Sequence, residues 1–291
     1  MSYGLVSQGP GGFMKPFSSN SYIQGGQDFL SSNSLIAKFA FLMLVLILFI
    51  TIVRYGVSFI GWLFTPKSNP IFIPGMLDAK QPTTYAQDPS LTGSVPVMRS
   101  DNLSEGLEFT WSVWFFIDDF TYKQNEYKHI FHKGNMDINV ENPPIGLSQP
   151  NNAPGLYITP NTNNLLVIMN SFEQIKEEVI INDIPLNKWV NVIIRVSKQN
   201  QLDVYINGTL TKRHLMKGVP KQNYGDVNVT GNGGFSGLIS ELRYFNSAIG
   251  TNQIQDIIDK GPNMTPISKS LLNSKPPYLS MRWFFGDNYN M

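Results

Sequence analysis

The sequence predicts a mainly β fold, an antiparallel β-sandwich preceded by a single transmembrane α-helix. Three observations predict it: an uncharged apolar run from Phe39 to Val53, an alternating stretch from Leu107 to Ile117, and a hairpin signal at Asn207-Gly208. The first is the period-free signature of a membrane span, and the other two are signatures of half-buried strands.

The apolar run is bracketed by Lys38 and Arg54. From Leu35 to Arg54 it amounts to about 20 residues, which at ~1.5 Å each match a ~30 Å hydrocarbon core. Only a helix crosses there alone, because every backbone amide must be paired internally. A secretory signal peptide would sit nearer the N-terminus and end in a small-residue cleavage site. Here mostly polar residues precede Leu35 and no A-x-A pattern follows. A core helix would be amphipathic, yet Phe41 to Ile50 is apolar on every face. The anchor, placed at 34–64, is expected to rest on Lys38, Phe39, Leu44, Leu46, Phe49, Val53, Arg54 and Trp62. Arg54 snorkels to the headgroups, with Tyr55, Trp62 and Phe64 in the interfacial zone.

Composition narrows the partners. Twenty-two basic against 21 acidic residues give a net charge of +1. No Lys/Arg block occurs, so nucleic acid is not an expected partner. Cysteine is absent, which excludes disulfides and thiol chemistry and leans towards a reducing compartment. The sequons at Asn102, Asn207, Asn228 and Asn263 are about as many as chance supplies in an Asn-rich chain.

In chain order, 1–33 is a Gly/Ser/Asn-rich tail, expected to be disordered by itself. Pro66, Pro70, Pro74, Pro82, Pro89 and Pro96 then mark an extended stalk, 65–95. Sandwich strands are expected over 96–262. Leu107, Phe109, Trp111, Val113, Phe115 and Ile117 alternate with Glu108, Thr110 and Ser112. Short strands follow at Lys128 to His132, Gly155 to Thr159, Leu165 to Met169, Glu178 to Ile181 and Trp189 to Val196. Leu202 to Ile206 and Thr209 to Leu215 flank a type I′ turn at Asn207-Gly208, and Gly237 to Phe245 closes the set. A helix capped by Thr251 carries Ile254, Ile257 and Ile258 on one face and stops at Gly261. The tail 263–291, with Trp283-Phe284-Phe285, either packs back on the sandwich or docks on a partner.

At these strands the sequence resembles the laminin-G-like, concanavalin A-like jelly-roll family. Gly106 to Trp114, His129 to Gly134, Pro185 to Val196, Leu202 to Gly208 and Phe235 to Tyr244 follow the family's order, over roughly Pro96 to Gly261. The resemblance implies two curved antiparallel sheets whose concave face or loop rim binds sugars or proteins in many members. It implies no particular reaction, since the fold hosts lectins, glycosidases and structural modules. It also implies core positions for Trp111 and Trp189. A Cys-free jelly roll on an N-terminal anchor is further similar to membrane-anchored minor capsid proteins of large double-stranded DNA viruses.

The residues themselves offer little catalytic chemistry. The glycosidase branch of the fold uses Glu-x-Asp-x-x-Glu on one strand, and no Asp here has a Glu two residues before it. Asp118 and Asp119 face opposite ways in a strand and are better read as starting a turn. His129 and His132, three apart on a strand, point to opposite faces and cannot share an ion, and His214 has no recognisable partner. No catalytic residue, resident metal or cofactor is expected. Calcium at Asp118, Asp137 or Asp226 on the rim is the alternative, without an EF-hand spacing. Gly231 to Gly234 precedes a strand and reads as a turn. Trp114 is the outward aromatic, and with Asp118 and Asp119 it forms the candidate ligand face.

Charges flanking the span, Lys15 and Lys38 against Arg54, Lys67 and Lys80, tilt the sandwich to the cytosolic side. The functional expectation is a non-enzymatic tether in a virion's internal membrane, with the helix in the bilayer and the jelly roll on a protein shell. The alternative is a membrane-anchored carbohydrate-binding module, with a glycoside hydrolase as the third reading.

Overall fold

The computed structural model describes residues 34–64, 67–100, 102–103 and 106–267. The chain divides into two compact units, Met1–Thr65 and Pro66–Met291. The expectations for 1–33 and for Trp283-Phe284-Phe285 lie outside the described residues.

In the first unit, helix α1 (Leu35–Phe64) runs unbroken through Arg54 for 30 residues. With no polar side to its sequence, it exposes large apolar side chains all around, from Leu35 at 84% to Trp62 at 73%. Leaving that area in water costs ~25 cal/mol per Å², so the helix is suited to an apolar solvent. It is long and apolar enough to cross a membrane from Leu35 to Leu63.

The second unit is a sandwich of two six-stranded antiparallel sheets. In spatial order the first contains β1 (Met76–Asp78), β14 (Ser236–Phe245), β5 (Phe109–Asp119), β10 (Trp189–Ser197), β11 (Gln201–Ile206) and β12 (Thr209–Leu215). The second contains β2 (Thr83–Tyr85), β13 (Val227–Val229), β6 (Lys128–Lys133), β7 (Gly155–Ile158), β8 (Leu165–Met169) and β9 (Glu177–Ile181). A small ribbon pairs β3 (Asn102–Leu103) with β4 (Gly106–Leu107), and helix α2 spans Thr251–Lys260.

Alternation builds the core. Phe109, Trp111, Val113, Phe115 and Ile117 of β5 and Val190, Val192, Ile194 and Val196 of β10 share the inner face and one buried cluster with residues of the second sheet. Trp111 is its hub, with ring centroids of Tyr244 at 5.0 Å, Phe131 at 5.4 Å and Phe72 at 5.6 Å. Asn207 and Gly208 take left-handed φ values of 48° and 80°, as a type I′ turn requires. Helix α2 lies on the outer face of the first sheet, with Ile254 against Ile193. Gly250, not Thr251, occupies its N-cap. The amide of Gly250 reaches Gln253 Oε1 at 3.3 Å, so the cap works from the helix side and needs no hydroxyl.

The expected stalk is a correction. Residues from Phe72 onward are part of the sandwich: β1 pairs with β14, β2 pairs with β13, and Phe72 and Ile73 are fully buried. Burying a side chain such as Phe72 is worth ~1.5–3 kcal/mol, enough to outweigh the extended preference of a proline-rich stretch. At the other end, Met76 bonds Thr265 and Ile267 through its backbone at 2.8 and 2.9 Å, so residues 265–267 also lie along β1.

Candidate functional site

A cavity of about 510 Å³ opens where β5 begins and β14 ends, at the mouth between the sheets. Phe109, Trp111 and Tyr244 form its aromatic wall on the first sheet, while Lys133 of the second sheet and Ala153, just before β7, face it from the other side. Two loop segments, 87–100 and 221–226, complete the rim.

The rim is built by hydrogen bonds. Gln87 donates its side-chain amide to Val95 O at 2.9 Å and accepts from the Val97 amide at 2.8 Å, which fixes one strap. The backbone amide of Gln87 donates to Asp226 Oδ1 at 2.9 Å, joining that strap to the other loop. Gln222 Nε2 reaches Ser100 Oγ at 2.5 Å, a second cross-link. Such loops need little ordering when a ligand arrives.

Lys133 supplies the charge. Its side chain is 93% removed from solvent, and its ammonium donates to Gly225 O at 2.7 Å. Burial pulls its pKa down to about 8, against the opposing pull of Asp226. The group therefore stays mainly protonated at neutral pH. Arg99 and Lys221 add positive charge to the lining, and Asp88 and Asp226 add negative charge. Asp88 is held below the usual carboxylate range by the amide and hydroxyl of Ser90.

Behind Lys133 on the same strand lies a second polar cluster, and it corrects the reading of the histidines. His129 Nε2 and His132 Nδ1 are 2.6 Å apart. A bulge in β6 between His129 and Phe131 puts both Ile130 and Phe131 into the core, so the flanking histidines emerge on the same side. The tautomers follow from the partners. Gly231 N donates to His129 Nδ1 at 2.8 Å, so His129 carries its proton on Nε2 and gives it to His132 Nδ1. His132 Nε2 then donates to Asn135 O at 2.9 Å. Burial lowers both pKa values, His132 to about 4, keeping the pair neutral. Their nitrogens face each other at hydrogen-bond distance and leave no space for a shared ion.

The sequence-expected ligand face is dispersed. Trp114 is 6% exposed, because the chain after α2 crosses that face, with Ser240, its cross-strand neighbour, donating to Asn263 O at 2.9 Å. Trp189, expected in the core, is half-buried on the outer face and meets Phe116 in a tilted pair with ring centroids 5.8 Å apart. Both tryptophans therefore lie on the outer face, Trp114 covered and Trp189 half-open, since the inner residues here are Val113, Phe115 and Val190. Asp118 and Asp119 are exposed at the far end of β5, ~30 Å along the strand from Phe109. Asp119 accepts from the Thr121 amide and hydroxyl at 2.8 and 2.7 Å, making a turn. Of the three calcium candidates, Asp226 lies in the cavity, while Asp118 and Asp137 do not line it. Among the described residues, no group of three or more His, Asp or Glu is placed to hold a metal ion. His214 does have a partner, Glu177, at 3.1 Å.

A profile described as the concanavalin A-like lectin/glucanases superfamily matches residues 91–255. Comparison with curated proteins gave no match. Among solved structures, the receptor binding domain of botulinum neurotoxin C/D mosaic serotype is similar at 15% identity, with 53% of this chain and 36% of that chain covered and a TM-score of 0.41. For the botulinum neurotoxin serotype G binding domain the values are 16%, 54%, 37% and 0.39. The serotype D ligand binding domain in complex with N-acetylneuraminic acid gives 13%, 62%, 46% and 0.43. The matched region thus spans less than half the length of those chains.

Proposed function

Because the chain belongs to the concanavalin A-like lectin/glucanases superfamily, we propose that it is a non-enzymatic carbohydrate-binding module held at a membrane by its N-terminal helix. The observation that carries this reading is the cavity at the sandwich mouth. It joins an aromatic wall to a polar rim already fixed by its own hydrogen bonds, and its volume lies within the ~300–1,000 Å³ of small-molecule sites.

Binding rather than hydrolysis is favoured by the state of the carboxylates. A glycosidase needs one carboxyl with a raised pKa to protonate the leaving oxygen. Asp88, in the lining, is shifted the other way by Ser90, and Asp226 is bonded to the Gln87 amide. The test is a glycan array probed with the full chain in phosphatidylcholine nanodiscs, followed by an assay for reducing ends. Saturable glycan binding without cleavage is expected. Loss of all glycan signal would sink the reading, and released sugar would replace it with an enzymatic one.

The second reading is the tether between a virion's internal membrane and a protein shell. Its support is the same apolar helix joined to a sandwich. Glycosylation would decide its cytosolic topology, but Asn228 cannot report, being fully buried and bonded to Gly134 O and Thr84 Oγ1. Asn207, on the exposed hairpin tip, is the informative sequon.

A further inference from the structure

We propose that the mouth cavity is a carboxylate-recognition subsite, in which the Lys133 ammonium pairs with an acidic group of the bound saccharide without a metal ion. This rests on the carbohydrate-binding reading and narrows it to acidic ligands.

An ammonium has three N–H donors. Lys133 uses one on Gly225 O, and it makes no ion pair within 4.0 Å among the described residues. Compare Lys128 on the same strand, which bonds Pro160 O at 3.2 Å and sits 4.5 Å from the Phe120 ring centroid, away from the cavity. A buried cation with donors to spare costs free energy unless something completes it. Lys133 lines the cavity, so a ligand entering there can complete it.

The lining selects the sign of that ligand. Arg99, Lys133 and Lys221 against Asp88 and Asp226 leave it one positive charge in excess. Asp226 does not neutralise Lys133 by contact, and its Oδ1 is already taken by the Gln87 amide. A carboxylate brought to Lys133 forms a charge-assisted bond in a partly desolvated site, where such bonds are strongest. The aromatic wall of Phe109, Trp111 and Tyr244 gives the apolar face of a sugar ring a surface beside it.

The test compares two ligands that differ only in charge: a tetrasaccharide of alternating glucuronic acid and N-acetylglucosamine, and its carboxyl-reduced counterpart. Calorimetric titration of the full chain in phosphatidylcholine nanodiscs, with chelator present, is expected to show at least tenfold tighter binding of the acidic form. Lys133→Met removes the preference, and Lys133→Arg keeps part of it. In the unaltered protein the preference declines above about pH 8, as Lys133 loses its proton, which gives a readout independent of any variant's folding. Equal binding of both ligands would overturn the inference and leave the carbohydrate reading standing. Binding of neither would overturn the inference, and a silent glycan array beside it would overturn the carbohydrate reading as well; a preference that survives in Lys133→Met would overturn the lysine subsite alone.

Discussion

At the middle of β6, His129 and His132 use all four ring nitrogens on each other, on the Gly231 amide and on Asn135 O. At the end of the same strand Lys133 bonds Gly225 O and lines a cavity. Both sites bury basic groups, and burial lowers the pKa of each. They differ in completion. The histidines answer burial by staying neutral and closing a hydrogen-bond chain between two loops, which serves stability. Lys133 keeps its charge at neutral pH and has donors left over, which is what the proposed recognition uses. Buried polarity therefore signals a binding site where it is incomplete and faces a cavity, and a structural element where it is closed.

The strongest test of this contrast is acid. Both histidines have folded pKa values below their ordinary 6.5, so the unfolded chain takes up protons first as pH falls. Stability is full above about pH 6.5 and is lost towards pH 4, by ~3 kcal/mol for His132 alone. Urea unfolding at intervals across that range measures it, and a flat profile would mean the pair is not held neutral. Next in size, His129→Leu leaves the Gly231 amide and His132 Nδ1 unpaired in a dry site, at ~2–3 kcal/mol in chemical denaturation. A negligible cost would break the structural side of the comparison.

Lys133→Met should behave differently, changing stability by no more than ~1 kcal/mol, because relief of a buried charge offsets the lost bond to Gly225 O. A loss as large as that of His129→Leu would make Lys133 structural as well. The smallest effect is expected at Trp114, whose buried indole N–H has no acceptor. Trp114→Phe trades packing area against removal of that unmet donor, for a net change of ~1 kcal/mol or less by thermal melting. A loss of several kcal/mol would show that the ring fills space essential to the outer face.

Much of the fold was legible because its signals are local. The eleven residues of β5 carry an alternation long enough to read, and Asn207-Gly208 declares its turn. The edge strands β1 and β2 are three residues each, too short for a period, and prolines around them suggested an extended chain. The site was less legible. Asp226 was singled out, but for calcium, and Lys133 and Tyr244 were not singled out at all. Their cavity draws on residues 87–100, 109–111, 133, 153, 221–226 and 244, which no sequence spacing connects.

By itself, then, the sequence determined the β-sandwich, its main hairpin and the apolar helix, because periodicity, turn chemistry and hydropathy act over a few neighbouring residues. Tertiary structure alone decided where Trp189 and the two histidines of β6 point. One bulge in β6 reverses the parity that places His129 and His132 on opposite faces. Burial of Phe72 against Trp111 turns a proline-rich stretch into part of the core. The pairing of distant strands brings Lys133 beside an aromatic wall, and long-range packing outweighs local preference wherever the buried area is large.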